Sequence, residues 1–331
     1  MYKKFLQKNF SHTILHITDK CNLACKTCFV KKSCNDLNTA NAKIISEKTG
    51  RIQWLDIGGG EPFLNPEIIN IITAFNFNSI TIPTNGQDTE NIINCVRQLS
   101  TKIDPSKITI AVSIDGFEKT NDNIRGSGSY NNAIKTFEEL KKLNEINLKI
   151  NTVLSNKNSI EILDFIRFIR TLAPDYHSLL LLRGNPISMD LTLPELNFLE
   201  KISNDVFNVL RTYSFGTKNI LIRKLNISYQ KYLWNLSLRI LKNKEAYIKC
   251  RAPFLHRVIY PDGSVSMCEL TRYKKNIFDD TIKNIERFFT AELYNYEKKN
   301  GRCYCTHNCN MMENILFDLP SVLKILTGIF L

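Results

Sequence analysis

Cys21-Asn22-Leu23-Ala24-Cys25-Lys26-Thr27-Cys28 sets three cysteines at C-x3-C-x2-C spacing just after the apolar run Thr13 to Thr18. Three thiolates can hold three irons of a 4Fe-4S cube and leave the fourth iron without a protein ligand. Four would favour a closed structural or electron-transfer site, and a zinc ribbon would set its C-x2-C knuckles in pairs. The nearest further thiol, Cys34, follows the polar run Lys31-Lys32-Ser33 and reads as a bystander.

Gly58-Gly59-Gly60-Glu61-Pro62 closes the next apolar run. Glycines let backbone amides approach a ligand with no Cβ in the way, and a carboxylate there suits an ammonium group. Standing alone, a glycine triplet is a turn. Behind the cysteine loop and at the end of a strand-like run, it reads as part of the same site. The cysteine spacing with Phe29 after it, joined to this GGGEP segment, resembles the radical SAM superfamily, in which the open iron is chelated by the amino and carboxylate groups of S-adenosylmethionine (SAM). The resemblance implies that Gly58, Gly59, Gly60 and Glu61 receive the methionine end of that cofactor.

Composition bounds the rest. The 331 residues, 43% hydrophobic and 10% aromatic, are enough to bury one large core or two smaller ones. Met1 to Phe10 has no apolar signal-peptide region, and the apolar run Leu319 to Leu331 is too short to cross a bilayer. A cytoplasmic chain is expected, in which ten cysteines serve metal or redox chemistry rather than disulfides. The net charge of +12, from 44 Lys and Arg against 32 Asp and Glu, is scattered and fits a solvated surface. Its sharper reading is an anionic substrate. No basic and aromatic motif points to nucleic acid.

The first half repeats one rhythm. Strand-like runs at Thr13–Thr18, Arg51–Ile57, Ser79–Pro83, Ile108–Ile114, Leu148–Leu154 and His177–Leu182 alternate with helical patterns at Glu67–Phe75, Asp88–Leu99, Tyr130–Leu143 and Ser159–Leu172. Such βα units make a parallel sheet, and six predict a partial, TIM-like (β/α)6 barrel. Chemistry then sits at the C-terminal strand ends. The cysteine loop, the glycines, Thr84-Asn85-Gly86, Ser113 with Asp115-Gly116, Asn151 and Arg183-Gly184 all fall there. The two Gly-containing turns are also ordinary turn chemistry. By resemblance, Asn85, Ser113 and Arg125 join the cofactor contacts, Arg125 near the SAM carboxylate; its plain alternative is an exposed loop residue. Cys95 reads as packing, and His12 and His16, flanking strand one, receive no role. No catalytic side chain is assigned.

Beyond strand six the texture turns helical. Thr192-Leu193-Pro194-Glu195 has capping-box spacing, Leu199, Ile202, Val206 and Val209 recur at helical intervals, and a second helix is expected from about Ser228 to Ala246. The last eighty residues carry Cys250 and Cys268 around the turn Pro261-Asp262-Gly263, then Cys303, Cys305 and Cys309 as C-x-C-x3-C. A zinc knuckle is one reading. The first pair resembles the start of SPASM and twitch extensions, which carry auxiliary 4Fe-4S clusters. Five cysteines suffice for one such cluster, with Cys250, Cys268 and Cys309 expected as ligands and Cys303 and Cys305 competing for the fourth place. His307 is either a hydrogen-bond donor to that cluster or a surface histidine. The apolar tail after Pro320 is expected to dock on the domain, with a membrane surface as the alternative.

The organisation expected is a radical SAM core over residues 1–188, a helical bridge over 189–249 and a small cysteine-rich auxiliary domain over 250–331. The resemblance implies that reductive cleavage of SAM yields a 5′-deoxyadenosyl radical that abstracts hydrogen from a substrate. A reductase such as a flavodoxin or ferredoxin would supply the electron. The cysteine loop begins at residue 21, which leaves little room for a leader-binding domain and favours a small polar or anionic, sugar-type substrate over a ribosomally made peptide. A non-catalytic zinc or iron-sulfur binding protein is the reading from another class.

Overall fold

A computed structural model describes residues 11–30, 35–184, 186–271 and 274–329. Cys34 and the Met1–Phe10 segment lie outside them. Six strands, β1 (His12–Thr18), β2 (Ile52–Gly59), β3 (Phe77–Thr84), β4 (Ile108–Ser113), β5 (Asn147–Leu154) and β6 (Tyr176–Leu181), pair in parallel in sequence order. Helices Thr39–Thr49, Ile68–Thr73, Thr89–Ser100, Ser129–Lys141 and Ile162–Thr171 make the crossovers that parallel pairing requires. Asn38 and Asp88 cap two of them, each accepting a backbone N–H three residues on.

Alternation inside the strands decides what faces where. Leu15, Ile17, Leu55, Ile57, Ile80, Ile82, Ile110, Val112, Leu148 and Ile150 are buried in one apolar core, the layer between sheet and helices. Their neighbours, among them Asp56, Thr81, Ser113, Lys149, Asn151 and Ser178, line one cavity. Residues from β1 through β6 border that same cavity, so the sheet curls around it as a partial barrel.

β1 is buried along its whole length because it is flanked on both sides. Past it the sheet continues with β7 (His256–Ile259), parallel to β1, then β8 (Ser264–Ser266) and β9 (Lys275–Asn276), both antiparallel. The expected hairpin around Asp262-Gly263 is therefore β7–β8, and it extends the barrel sheet directly.

Several boundaries differ from expectation. The capping box at Thr192 does not form: the helix starts at Leu196 without a side-chain cap. Thr192 is instead held to the end of β5, its carbonyl accepting from Asn156 N at 2.9 Å. The next helix begins at Ile220, where Asn219 accepts from Leu221 N and Ile222 N, eight residues ahead of Ser228. Arg125 ends a helix, Glu118–Arg125, and is not in an exposed loop. The C-terminal helix Leu319–Gly328 docks on the Ile220–Asn243 helix through Ser228 Oγ to Ile325 O at 2.6 Å and Tyr232 OH to Ser321 Oγ at 2.7 Å. Among the described residues no helix is long and apolar enough to cross a membrane.

Candidate active site

The cysteine loop leaves β1 and is pinned on three sides. Lys26 N donates to Ile124 O at 2.8 Å, Cys28 N to Cys25 O at 3.1 Å, and Ile187 N to Cys28 O at 2.9 Å. Cys21, Cys25 and Cys28 are partly exposed and border the cavity, whose volume is about 600 Å³. Burial raises the Cys25 thiol pKa, and the Arg125 guanidinium, with Nη1 4.0 Å from Cys25 Sγ, pulls the other way. Arg125 is oriented by an ion pair to the fully buried Asp115, Nε to Oδ2 at 2.8 Å.

The glycines are required by the chain itself. Gly59 has φ +109, and a Cβ there would collide with the Thr18 carbonyl oxygen; one on Gly60 would collide with that of Lys20. The closeness serves hydrogen bonds from Gly60 N to Thr18 O and Glu61 N to Lys20 O, both 2.8 Å. This clamps the end of β2 to the base of the cysteine loop. Glu61 is only 4% exposed and its carboxylate already has partners. It accepts from Thr84 Oγ1 at 2.9 Å and Asn85 N at 2.7 Å. Burial nevertheless pushes its pKa up to about 7. Asn85 reaches the loop through Asn22 Oδ1 at 2.7 Å, with Cys21 Sγ 3.8 Å away. Ser113, beside Asn151 in register, lines the wall.

Deeper in the barrel the lining is polar: Asp56, Thr81, Lys149, Asn151, Tyr176 and Ser178 from the strands. Tyr229 and Gln230 come from the Ile220–Asn243 helix, a stretch in which the sequence offered no chemistry. Burial works against an ionised Asp56, but His12, the Lys149 charge and a Thr81 hydrogen bond hold its pKa below the usual range.

The C-terminal cysteines, of which Cys250, Cys268 and Cys309 were the expected ligands, lie in two surroundings. The Cys250 thiol is raised by burial and then by Cys303, Cys305 and Cys268, so these four sit within reach of one another's charge. Burial and the neighbouring Cys305 and Cys268 push Cys303 up to about 12. Cys309 stands apart. It lines the cavity with Asn308 and Met312; burial raises it to about 11, and the nearby charges are Asp56, His12, Arg183 and Glu269. Cys303 and Cys305 lie in irregular backbone before the Asn308–Leu316 helix, where residues two apart can share a face. Cys309 is already in the helix, where residues three and four apart share one. None of the nine described cysteines is in a disulfide.

Two buried networks join these parts, both built on histidines the sequence left without a role. His12 and His16 lie within β1 rather than at its flanks. His16 packs under Gly58 and its Nε2 is 3.7 Å from Glu269 Oε1. Glu269 also receives His307 Nε2 at 2.8 Å and Arg183 Nη2 at 3.4 Å. His307 is fully buried, which excludes the surface reading. The available signal was period two: His12, Ile14 and His16, then Asp56, put polar groups on the inward side of otherwise apolar strands.

Sequence comparison finds no matching family model. The chain is 28% identical over 159 residues to the mycofactocin maturase MftC of Mycobacterium tuberculosis, a match covering 45% of this chain and 39% of that protein. It is 35% identical over 173 residues to an S-adenosylmethionine-dependent nucleotide dehydratase of Fibrobacter sp., covering 45% and 49%. The chain thus spans half or less of either relative. The solved structure of native anSMEcpe with bound AdoMet superposes with a TM-score of 0.63 at 14% identity, over 96% of this chain and 100% of that one. The chain belongs to the radical SAM superfamily. The similarity implies SAM and a 4Fe-4S cluster, and the loop, the glycine clamp and Ser113 border one cavity at the C-terminal strand ends.

Proposed function

We infer that Cys21, Cys25 and Cys28 hold a 4Fe-4S cube with one open iron, where SAM binds beside Gly58, Gly59, Gly60, Asn85, Ser113 and Arg125. Cys250, Cys268, Cys303 and Cys305 hold a second, closed cube. The observation that carries this reading is the convergence of the loop, the ends of β2 to β4 and the polar barrel interior on one cavity. The donor sets fit. The loop brings three partly exposed thiols to the cavity, and the other four raise one another's pKa in a buried setting, a cost that thiolate ligation removes.

When bound, the cube and SAM supply one-electron cleavage of SAM and hydrogen abstraction from the substrate. The chain's residues do the rest. Arg125, held by Asp115, sets positive charge beside Cys25, where it suits a carboxylate. Glu61 positions the turn after β3 rather than serving as a free anion.

The lining favours a small polar or anionic substrate, sugar-type molecules included. Lys149, Asn151, Ser178 and Gln230 present donors, and the similarity to a nucleotide dehydratase agrees with an anionic one. A peptide substrate is the second reading, supported by the similarity to a maturase. The division into a core over 1–188, a bridge over 189–249 and an auxiliary domain over 250–331 belongs to the same proposal, as does a flavodoxin or ferredoxin as electron donor. Anaerobic reconstitution should give about eight irons with matching sulfide. With dithionite and SAM the chain should release 5′-deoxyadenosine, and Cys25→Ala should stop it. A Cys25 variant that still cleaves SAM would refute the assignment of the loop, and zinc without sulfide would leave a non-catalytic binding protein.

A further inference from the structure

Beside Cys309, whose thiol feels the His12 charge, three buried groups from distant parts of the chain meet. His12 on β1 and His256 on β7 are register partners, with ring centroids 4.8 Å apart. Glu313 on the Asn308–Leu316 helix puts Oε1 2.7 Å from His12 Nδ1 and 3.6 Å from His256 Nδ1. One donor atom from each lies within 4.8 Å of the others. All three side chains are at most 2% exposed.

The hydrogen bonding there is incomplete. Both ring nitrogens of His256 and the Oε2 atom of Glu313 are buried without a hydrogen-bond partner among the described residues, an arrangement that is costly unless something else satisfies them. His12, by contrast, is held on its far side: Nε2 lies 3.0 Å from Asp56 Oδ2. A carboxylate on the remote nitrogen fixes an imidazole's tautomer and ring direction for metal ligation. Here it leaves Nδ1 aimed at Glu313.

We propose that His12, His256 and Glu313 form a divalent cation site of the zinc class, with Asp56 as the orienting carboxylate. Tetrahedral zinc with bonds of about 2.0–2.1 Å puts its donor atoms about 3.3 Å apart. The present separations bracket that value, and the shortest is the one a bridging proton occupies. Glu313 Oε2 supplies the further contact that closes the shell. The ion would tie β1, which leads into the Cys21 loop, to β7 and to the helix after Cys305.

The test uses the full chain, iron-loaded and handled anaerobically. Cobalt(II) is the probe, read as the difference spectrum against the same iron-loaded chain without cobalt and by metal analysis, because nitrogen and oxygen ligands give visible d–d bands without the near-ultraviolet charge-transfer band of thiolate ligation. About one cobalt per chain, tightly held and lacking that band, is expected. As-purified protein should hold about one zinc beside its iron. Glu313→Gln and His256→Asn should each weaken cobalt retention at least tenfold with iron content unchanged. Absence of tight cobalt binding in the wild-type chain would overturn the proposal whatever the variants do. A thiolate band, or cobalt that survives both substitutions, would place the metal at the cysteines and overturn it equally.

Discussion

Glu61 offers a quantitative test of how the site is built. Its pKa is raised from 4.5 to about 7, burial outweighing the hydrogen bonds from Asn85 and Thr84. The folded chain therefore favours the protonated carboxyl, and stability contributed by this group is full below pH 4.5 and lost as pH rises through about 7. With those two values, linkage gives a loss of about 1.4 kcal/mol by pH 5.5 and about 3.4 kcal/mol by pH 8, hence about 2 kcal/mol between them. Glu61→Gln removes the titration while keeping one acceptor and the volume. The wild-type chain, cluster-loaded and without SAM, should lose several degrees of Tm relative to Glu61→Gln on going from pH 5.5 to pH 8, at matched scan rates. Groups with depressed values, such as Glu313 at about 2, lose their contribution below this window and cancel in the comparison. If the two chains keep the same Tm difference at both pH values, the carboxyl is ionised throughout. The reasoning from burial would then be wrong.

Two further outcomes follow from the cysteine division and the cavity wall. Cys305→Ala should lower iron from about eight to about four per chain, whereas Cys309→Ala should leave it near eight, as read by iron and sulfide analysis; the reverse pattern would restore Cys309 as a ligand. Ser113→Ala should weaken SAM binding by about 1 kcal/mol, roughly fivefold, in equilibrium dialysis with iron content intact.

The barrel was legible because period two and βα spacing are local properties. All six strands lie within two residues of the runs read from apolar alternation. The cysteine loop was legible because three ligands close in sequence need no long-range information. The partition of the C-terminal thiols was not, because it depends on where extended chain becomes helix between Cys305 and Asn308. Cys309 lies inside that helix and lines the cavity. The glycines were read as room for a ligand, but the constraint the structure imposes is the Thr18 and Lys20 carbonyls, a contact invisible without β1 and β2 in register. The His12 to Glu313 pairing spans 301 positions, and no local pattern announces it.

One carboxylate makes the two cysteine groups a single unit. Glu269 follows Cys268 directly and faces the cavity. It is gripped by His307, two residues from Cys305, by Arg183 after β6, and by His16 in β1 beneath Gly58. Burial alone would raise its pKa, yet His16, His307 and Arg183 hold it well below the usual range. It is therefore ionised, with Arg183 as its permanent counter-charge, and losing Arg183 would leave a largely buried charge uncompensated, which is far costlier than losing a surface pair. Arg183 also lies over the Phe29 ring, 5.8 Å to the centroid, so the same network reaches the residue after Cys28. Glu269 thus joins the Cys268 turn by direct contacts to β1 beneath the glycine clamp and, through Arg183, to Phe29. β7 lies in register on β1, and Glu269, which follows Cys268, reaches the cavity that the Cys21 loop borders.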